Sequence, residues 1–300
     1  MASKLKAVPP KTEPPSKPKI LIYGKPGVGK TFTALDFPSC YYIDTEGGAL
    51  QAHYTDKLEK SGGVYLGPKQ GACDFDVVLE QVKALATEKH SYKTLVIDSI
   101  SKMFNTSIAA EAERILEKGD KDEYGASKKP AVSKMRRLVK WLMDIDMNVI
   151  LISHETGEWG QDAKGNRVEI GTTFDCWPKL EYELDLCMNI FKSGPGRSAR
   201  VRKSRLKAFP DALVIPWSYK DFANLYGEEV IQKESTQIVL ATETQLKELN
   251  NLLNVIKLPE GQVEKWLSAA QVDSWSEMST ERTAKAIDHI KKTFLTTQGE

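Results

Sequence analysis

The chain has 300 residues, 41% hydrophobic and 28% charged, with 42 Lys and Arg against 41 Asp and Glu and a formal net charge of +1. This balance excludes a disordered or fibrous chain and a uniformly basic nucleic-acid coat, and the length suits one large domain with a small one. No apolar run approaches the roughly 18 residues of a membrane helix, and the start is Lys- and Pro-rich where a signal peptide is apolar, so no membrane association and a cytoplasmic location are expected. Cys40, Cys73, Cys176 and Cys187 are too dispersed for a zinc cluster and are expected to be reduced thiols.

Residues 1–18 hold five of the fourteen prolines and four lysines against one acid, which predicts a flexible basic arm. From residue 19 to 240, β-rich apolar runs alternate with helical stretches, the pattern of an α/β fold with a mostly parallel sheet flanked by helices. The expected strands are Ile20–Tyr23, Tyr41–Asp44, Thr94–Asp98, Val149–Ser153, Leu186–Phe191 and Ala199–Arg205, with helices around 76–87, 101–117 and 131–145. In the last helix Val132, Met135, Leu138, Val139, Leu142 and Met143 share one face and leave Arg136, Arg137 and Lys140 on the other. From 241 to 300 the texture becomes that of a small helical domain. Leu246, Leu249, Leu252, Leu253 and Ile256 stand at helical spacing behind a Thr242/Gln245 capping box, Pro259 and Gly261 interrupt, and Val263, Trp266, Leu267, then Ile287, Ile290 and Phe294 mark two further helices. No repeat with a fixed period is present, so a solenoid or propeller is not expected.

The strongest chemical signal is Gly24-Lys25-Pro26-Gly27-Val28-Gly29-Lys30-Thr31, which satisfies the G-x-x-x-x-G-K-[ST] phosphate loop. An apolar strand precedes it and a helix over Thr31–Asp36 is expected after it, so backbone N–H groups would converge on a polyphosphate. In such loops the lysine meets the β and γ phosphates, here Lys30, and the hydroxyl of Thr31 is offered to Mg²⁺. The second partner of the metal is an Asp at the end of a buried strand, and Asp98, closing TLVIDS, fits that role.

Taken in order, GKPGVGKT, YIDTEGG, TLVIDSISKM, VILISHE and ARVRKSR resemble the RecA-type core ATPases from about residue 19 to 225, and the shortened phage branch of single-strand annealing proteins in particular. The resemblance implies a P-loop NTPase, RecA-like core that uses ATP and Mg²⁺, and an oligomer with ATP between subunits. It makes Glu46 the candidate general base, with Asp44 as the competing choice; Glu46 lies just past a strand end, where α/β sheets gather their ligands. His154 stands where larger recombinases carry an amide that senses the γ-phosphate, a departure from the family pattern. Lys203 and Arg205, two apart on an expected strand and so on one face, match cations that reach the neighbour's ATP in the manner of arginine fingers. Plain phosphate-backbone binding to DNA is the other reading of that pair.

Two segments match the family's single-stranded DNA loops. Glu117–Pro130 leads into the basic helix, with Lys128, Lys129, Arg136, Arg137 and Lys140 in a stretch of six basic residues and no acid between 126 and 141. Glu155–Phe174 offers Trp159 for base stacking and Lys164 and Arg167 for phosphates, unless it is simply a β-hairpin turning at Lys164-Gly165-Asn166. Arg200 and Arg202 belong to a second stripe, with seven basic residues and no acid between 191 and 210. The function these readings imply is an ATP-binding DNA recombination protein that coats single strands and promotes annealing or pairing. A replication motor or helicase accessory shares the same residues, and a non-catalytic, nucleotide-stabilised DNA-binding module is the third reading. Residues 1–18 contain no aromatic residue to anchor a neighbouring subunit. The helical tail is either a site for single-strand binding protein or a bundle closing on its own core.

Overall fold

The computed structural model describes residue 7 and residues 16–49, 51–256 and 258–295. The expected basic arm therefore lies outside the described residues, apart from residues 7 and 16–18. Lys17 is already part of the folded body: it is buried, with Nζ donating to the carbonyl of Asp146 at 3.2 Å.

The core opens with β1 (Lys19–Tyr23), the phosphate-loop segment and α1 (Lys30–Ala34), then β2 (Cys40–Asp44), α2 (Ala52–Ser61) and β3 (Val64–Leu66). It continues through α3 (Phe75–Thr87), β4 (Thr94–Asp98), α4 (Ile100–Glu117), α5 (Lys128–Asp144) and β5 (Asn148–Ser153). There follow β6 (Glu155–Gln161), β7 (Arg167–Phe174), α6 (Leu180–Glu183), β8 (Leu186–Ser193), β9 (Gly196–Ser204), β10 (Val214–Pro216), α7 (Tyr219–Tyr226) and α8 (Glu228–Gln232). The eight-stranded sheet has the order β10-β9-β8-β1-β5-β4-β2-β3. From β8 to β3 all neighbours are parallel, and β9 and β10 extend the β8 edge by antiparallel pairing.

The central strands are apolar on both faces because helices cover both. Residues alternate sides: Leu21, Ile97, Val149 and Leu151 pack with α3, α4 and α5, whereas Ile20, Ile22, Val96 and Ile150 pack with residues of α1 and α7. Each such fully buried side chain is worth about 1.5–3 kcal/mol, so truncating Ile97 or Ile150, both at 0% exposure, would open a cavity between sheet and helix. The expected strands and helices all occur; α2, β3 and β10, too short or too polar to show periodicity, were not foreseen.

Of the two readings of residues 155–174, the structure has the hairpin: the antiparallel pair β6–β7, closed by a turn in which Asp162 accepts from the amides of Lys164 (2.8 Å) and Asn166 (2.9 Å) and Gly165 has φ 81°. The hairpin is seated on the core: Arg202 donates to Glu158 at 2.7 and 3.0 Å, and Asn189 to Glu155 at 3.1 Å. The strand expected to reach Arg205 ends at Ser204, and a register shift opposite Cys187 and Met188 disturbs its alternation.

The C-terminal helices are α9 (Glu243–Val255), α10 (Gln262–Ala270) and α11 (Thr280–Ile290). Thr242 and Gln245 form the expected capping box. Leu249, Ile256, Ile287 and Ile290 make a small core with Trp266 and Trp275 against it; the side chain of Phe294 lies outside the described residues. This unit is tied to the core by a Leu240–Ser279 bridge, by Lys83 with Glu277 at 2.8 Å and by an ion pair of Arg137 with Asp273.

Candidate functional site

The site lies across the C-terminal ends of β1, β5, β4 and β2, where a parallel sheet places its ligands. β5 separates the strand that carries the phosphate loop from the one that ends in Asp98, so His154, just past β5, stands between them. A cleft of about 480 Å³ is lined there by Gly24, Gly27, Lys30, Thr31, Glu46, Asp98 and His154, among others.

The loop's glycines are required by its shape. Gly27 and Gly29 have φ of 73° and 88°, in the left-handed region. A Cβ on Gly24 would collide with the carbonyl oxygen of Ile190, and one on Gly29 with the side chain of Arg197. Lys25 and Pro26 are exposed and Val28 is buried, so the loop is anchored at its middle and open at its crest. Lys30 Nζ donates to the carbonyls of Gly24 (2.6 Å) and Lys25 (3.1 Å), holding an ammonium inside the loop's curve. Burial pulls the pKa of Lys30 below that of a free lysine, and the charges of Asp98, Glu46 and Glu155 oppose that.

Thr31 Oγ1 donates to Asp98 Oδ2 at 2.5 Å, and Tyr42 OH to the same oxygen at 3.3 Å. Burial pushes the Asp98 carboxyl up to about 6, against the pull of the Thr31 hydroxyl. A half-buried carboxylate held beside a hydroxyl, with a lysine ammonium nearby, is a donor set of hard oxygens that fits Mg²⁺ with a nucleotide phosphate.

The structure separates Asp44 from Glu46. Asp44 is buried and accepts from the amides of Glu46 (3.0 Å), Gly47 (2.8 Å) and Ala49 (3.0 Å) and from Tyr65 OH (3.1 Å), so its lone pairs are spent on shaping the turn after β2. Glu46 instead faces the cleft. Its Oε1 accepts from Ser99 Oγ at 2.5 Å and from His154 Nε2 at 2.6 Å, the imidazole donating because a carboxylate has only lone pairs to offer. His154 is fixed in turn by its amide, which donates to Ser101 Oγ at 2.8 Å. Thr45 and Ser99 tie the ends of β2 and β4 through Ser99 N to Thr45 Oγ1 (2.9 Å) and Thr45 Oγ1 to Ser99 O (3.1 Å). Lys30, Thr31, Asp98, Glu46 and His154 are thus brought together.

Lys203 and Arg205 meet as well, though not on the cleft. Lys203 donates to the carbonyl of Leu184, and Arg205 to those of Tyr182 and Glu183 (3.1 Å), at the C-terminal end of α6. Lys203 is paired with Cys187, itself beside Leu21, and the carbonyls it meets precede β8, so both cations face the end of the sheet opposite the phosphate loop. Burial lowers the pKa of Lys203.

The residues expected on DNA are scattered. Lys128, Lys129 and Arg136 are exposed along α5, the Arg136 guanidinium 5.5 Å from the Trp177 ring. Arg137 is taken by Asp273 and lies 3.9 Å from Glu277, and Lys140 sits 3.5 Å from Asp144 with its side chain 8% exposed, so the C-terminal unit covers part of the face expected to be open. Trp159 is 53% exposed on the hairpin with Arg167 4.6 Å from its ring; Lys164 is exposed at the tip. Arg200 is exposed over Phe191 at 5.4 Å. Arg202 is neutralised by Glu158 (2.7 Å) and Glu181 (3.1 Å), and its hydrogen bonds to Glu158 raise its pKa above the usual arginine value.

Two residues at the site, Ser99 and Arg197, escaped the sequence, as did the role of a third, Asp44. Ser99, next to Asp98, holds Glu46. Asp44 has the loop-shaping role. Arg197, at the start of β9, lays its side chain over Gly29 from 168 positions along the chain, and only its membership of a basic stripe hinted at it.

A family model described as an AAA domain matches residues 16–206. No curated protein matches the chain. Among solved structures, one titled "Crystal structure of the RadB recombinase" is 17% identical, with a TM-score of 0.42 over 66% of this chain and 86% of that one.

Proposed function

The chain belongs to the AAA domain family, with a P-loop, RecA-like α/β core, and on that premise we propose that it is a Mg²⁺-dependent ATPase that binds single-stranded DNA as an oligomer and promotes annealing or pairing. The observation that carries the ATPase reading is the convergence of Lys30, Thr31, Asp98 and Glu46 on one cleft. The resemblance of five motifs to the phage annealing branch supports the DNA reading, together with the exposed Lys128, Lys129, Lys164 and Arg167.

ATP is bound with its phosphates in the curve of Gly24–Thr31, where Lys30 exchanges the carbonyls of Gly24 and Lys25 for the β and γ phosphate oxygens. Thr31 and Asp98 would hold Mg²⁺, which when bound would supply charge neutralisation on those oxygens. Glu46 takes a proton from the attacking water, and Ser99 and His154 fix the orientation of its carboxylate before substrate arrives. His154, touching both the base and the cleft, reads the presence of the γ-phosphate and passes it to the β6–β7 hairpin that begins one residue later. Lys203 and Arg205, turned away from their own phosphate loop, act on the ATP of an adjacent subunit. Among the described residues no helix is long and apolar enough to cross a membrane.

The test is ATP turnover with and without single-stranded DNA, beside Lys30→Ala. Stimulation by DNA and loss of turnover in the variant are expected. Undiminished turnover in Lys30→Ala removes the site assignment, and turnover indifferent to DNA removes the coupling.

A further inference from the structure

A hollow larger than the nucleotide cleft lies elsewhere on the chain. A groove of about 860 Å³ runs between α5, α6 and the C-terminal helices, and through Arg136, Trp177 and Lys179 it continues into a second hollow of about 670 Å³ that includes Lys128 and Lys129. We infer that this groove is a track for the phosphate backbone of single-stranded nucleic acid, with Lys179 from the core and Arg282 from α11 as opposing walls. The inference rests on the proposed binding of single strands and adds a path and two residues to it.

Charge is the first support. Lys128, Lys129, Arg136, Lys179 and Arg282 are exposed, and among the described residues none of the five has a carboxylate within ion-pair distance. Of the acids lining the groove, Asp144 is engaged by Lys140 at 3.5 Å, which leaves Glu183 as the main opposing charge. The length is the second. From Lys128 to Arg136 the helix rises about 12 Å, enough for roughly three stacked nucleotides at ~3.4 Å each, before the track reaches Lys179 and Arg282. Continuity is the third: β7 ends at Phe174, and the chain passes directly into Trp177 and Lys179, so the groove starts at the foot of the hairpin that carries Trp159, Lys164 and Arg167.

The chemistry selects the backbone rather than the bases. Trp177 is 6% exposed and one face is covered by the Arg136 guanidinium, so no aromatic platform is open to a base. Cations spaced along the two joined hollows, from Lys128 and Lys129 through Arg136 and Lys179 to Arg282, suit a linear polyanion better than a short acidic peptide, whose charges would cluster around one apolar anchor.

The experiment uses the full chain with Lys179→Ala and Arg282→Ala combined, and anisotropy titrations of oligo(dT) and oligo(dA) from about 50 to 200 mM salt. Two lost phosphate contacts lower the magnitude of the salt slope by about 1.4, equally for both oligonucleotides. The charge-keeping pair Lys179→Arg with Arg282→Lys retains the wild-type slope, which a merely structural role would not require. A wild-type slope in the double alanine variant overturns the groove while leaving single-strand binding intact. Absence of binding by the wild-type chain at low salt instead overturns the proposed function. Loss of poly-glutamate binding with an unchanged DNA slope identifies a peptide site and also overturns the inference.

Discussion

Replacing Asp98 by Asn should stabilise the protein when no nucleotide is bound and remove the stabilisation that Mg²⁺ with ATP confers. Burial raises the Asp98 carboxyl from 3.8 to about 6. Between those values the folded protein keeps a proton that the unfolded chain has released, so stability falls as pH rises through that window and the full cost is present above about pH 6. At about 1.36 kcal/mol per tenfold in proton affinity, that cost is about 3 kcal/mol at neutral pH. An amide oxygen in Asn still accepts the Thr31 hydroxyl, which now donates to Asp98 Oδ2 at 2.5 Å, so the variant keeps the contact and sheds the buried charge. The expected result at pH 7 to 8 is a thermal midpoint roughly 5 °C above wild type, with the gap closing toward pH 4. Repeating the melts with Mg²⁺ and a nonhydrolysable ATP analogue should raise the wild-type midpoint and leave the variant nearly unmoved. A variant that melts at or below wild type at pH 7 to 8, or by a margin independent of pH, refutes the idea that this carboxylate is buried at a cost in order to hold a cation.

Glu46→Gln should reduce turnover by about 10²- to 10⁴-fold while nucleotide still binds, since the side chain keeps its place beside Ser99 and His154 but loses its basicity; full turnover would remove it as the base. Asp44→Ala should instead lower the melting midpoint, because three amides and the Tyr65 hydroxyl lose their acceptor, and an unchanged midpoint would contradict the loop-shaping role. Arg197→Ala should weaken binding of a fluorescent ATP analogue by about tenfold if its guanidinium, over Gly29, meets a phosphate, and equal affinity would leave it a packing residue. Mixing Lys203→Ala subunits with Lys30→Ala subunits should restore hydrolysis where one intact loop faces one intact cation. Silence from the mixture, with assembly verified, would count against action between subunits.

The sequence determined on its own those features whose physics is local. An apolar strand, a glycine-bearing turn and Lys30-Thr31 are contiguous, so the phosphate loop was legible as a unit, and so were the buried strands, the long amphipathic helices and the Thr242–Gln245 cap. The core strands could be read because, buried on both faces, they are unbroken apolar runs, whereas the largely polar, mostly exposed β6–β7 segment left hairpin and loop both open. Tertiary structure decided everything that depends on which distant side chain arrives first. Asp44 and Glu46 are two residues apart and chemically alike; only the amides around one, and Ser99 and His154 beside the other, divide their roles. Arg137, Lys140 and Arg202 read as open cations, but acids far along the chain, Asp273 and Glu158 among them, or burial under the C-terminal helices take them out of solvent. Arg197 reaches Gly29 because β9 is folded back beside β8, a placement set by sheet order and not by any spacing in the chain. Charge and burial are properties of neighbours in space, and a linear pattern specifies those neighbours only when they are also neighbours in sequence.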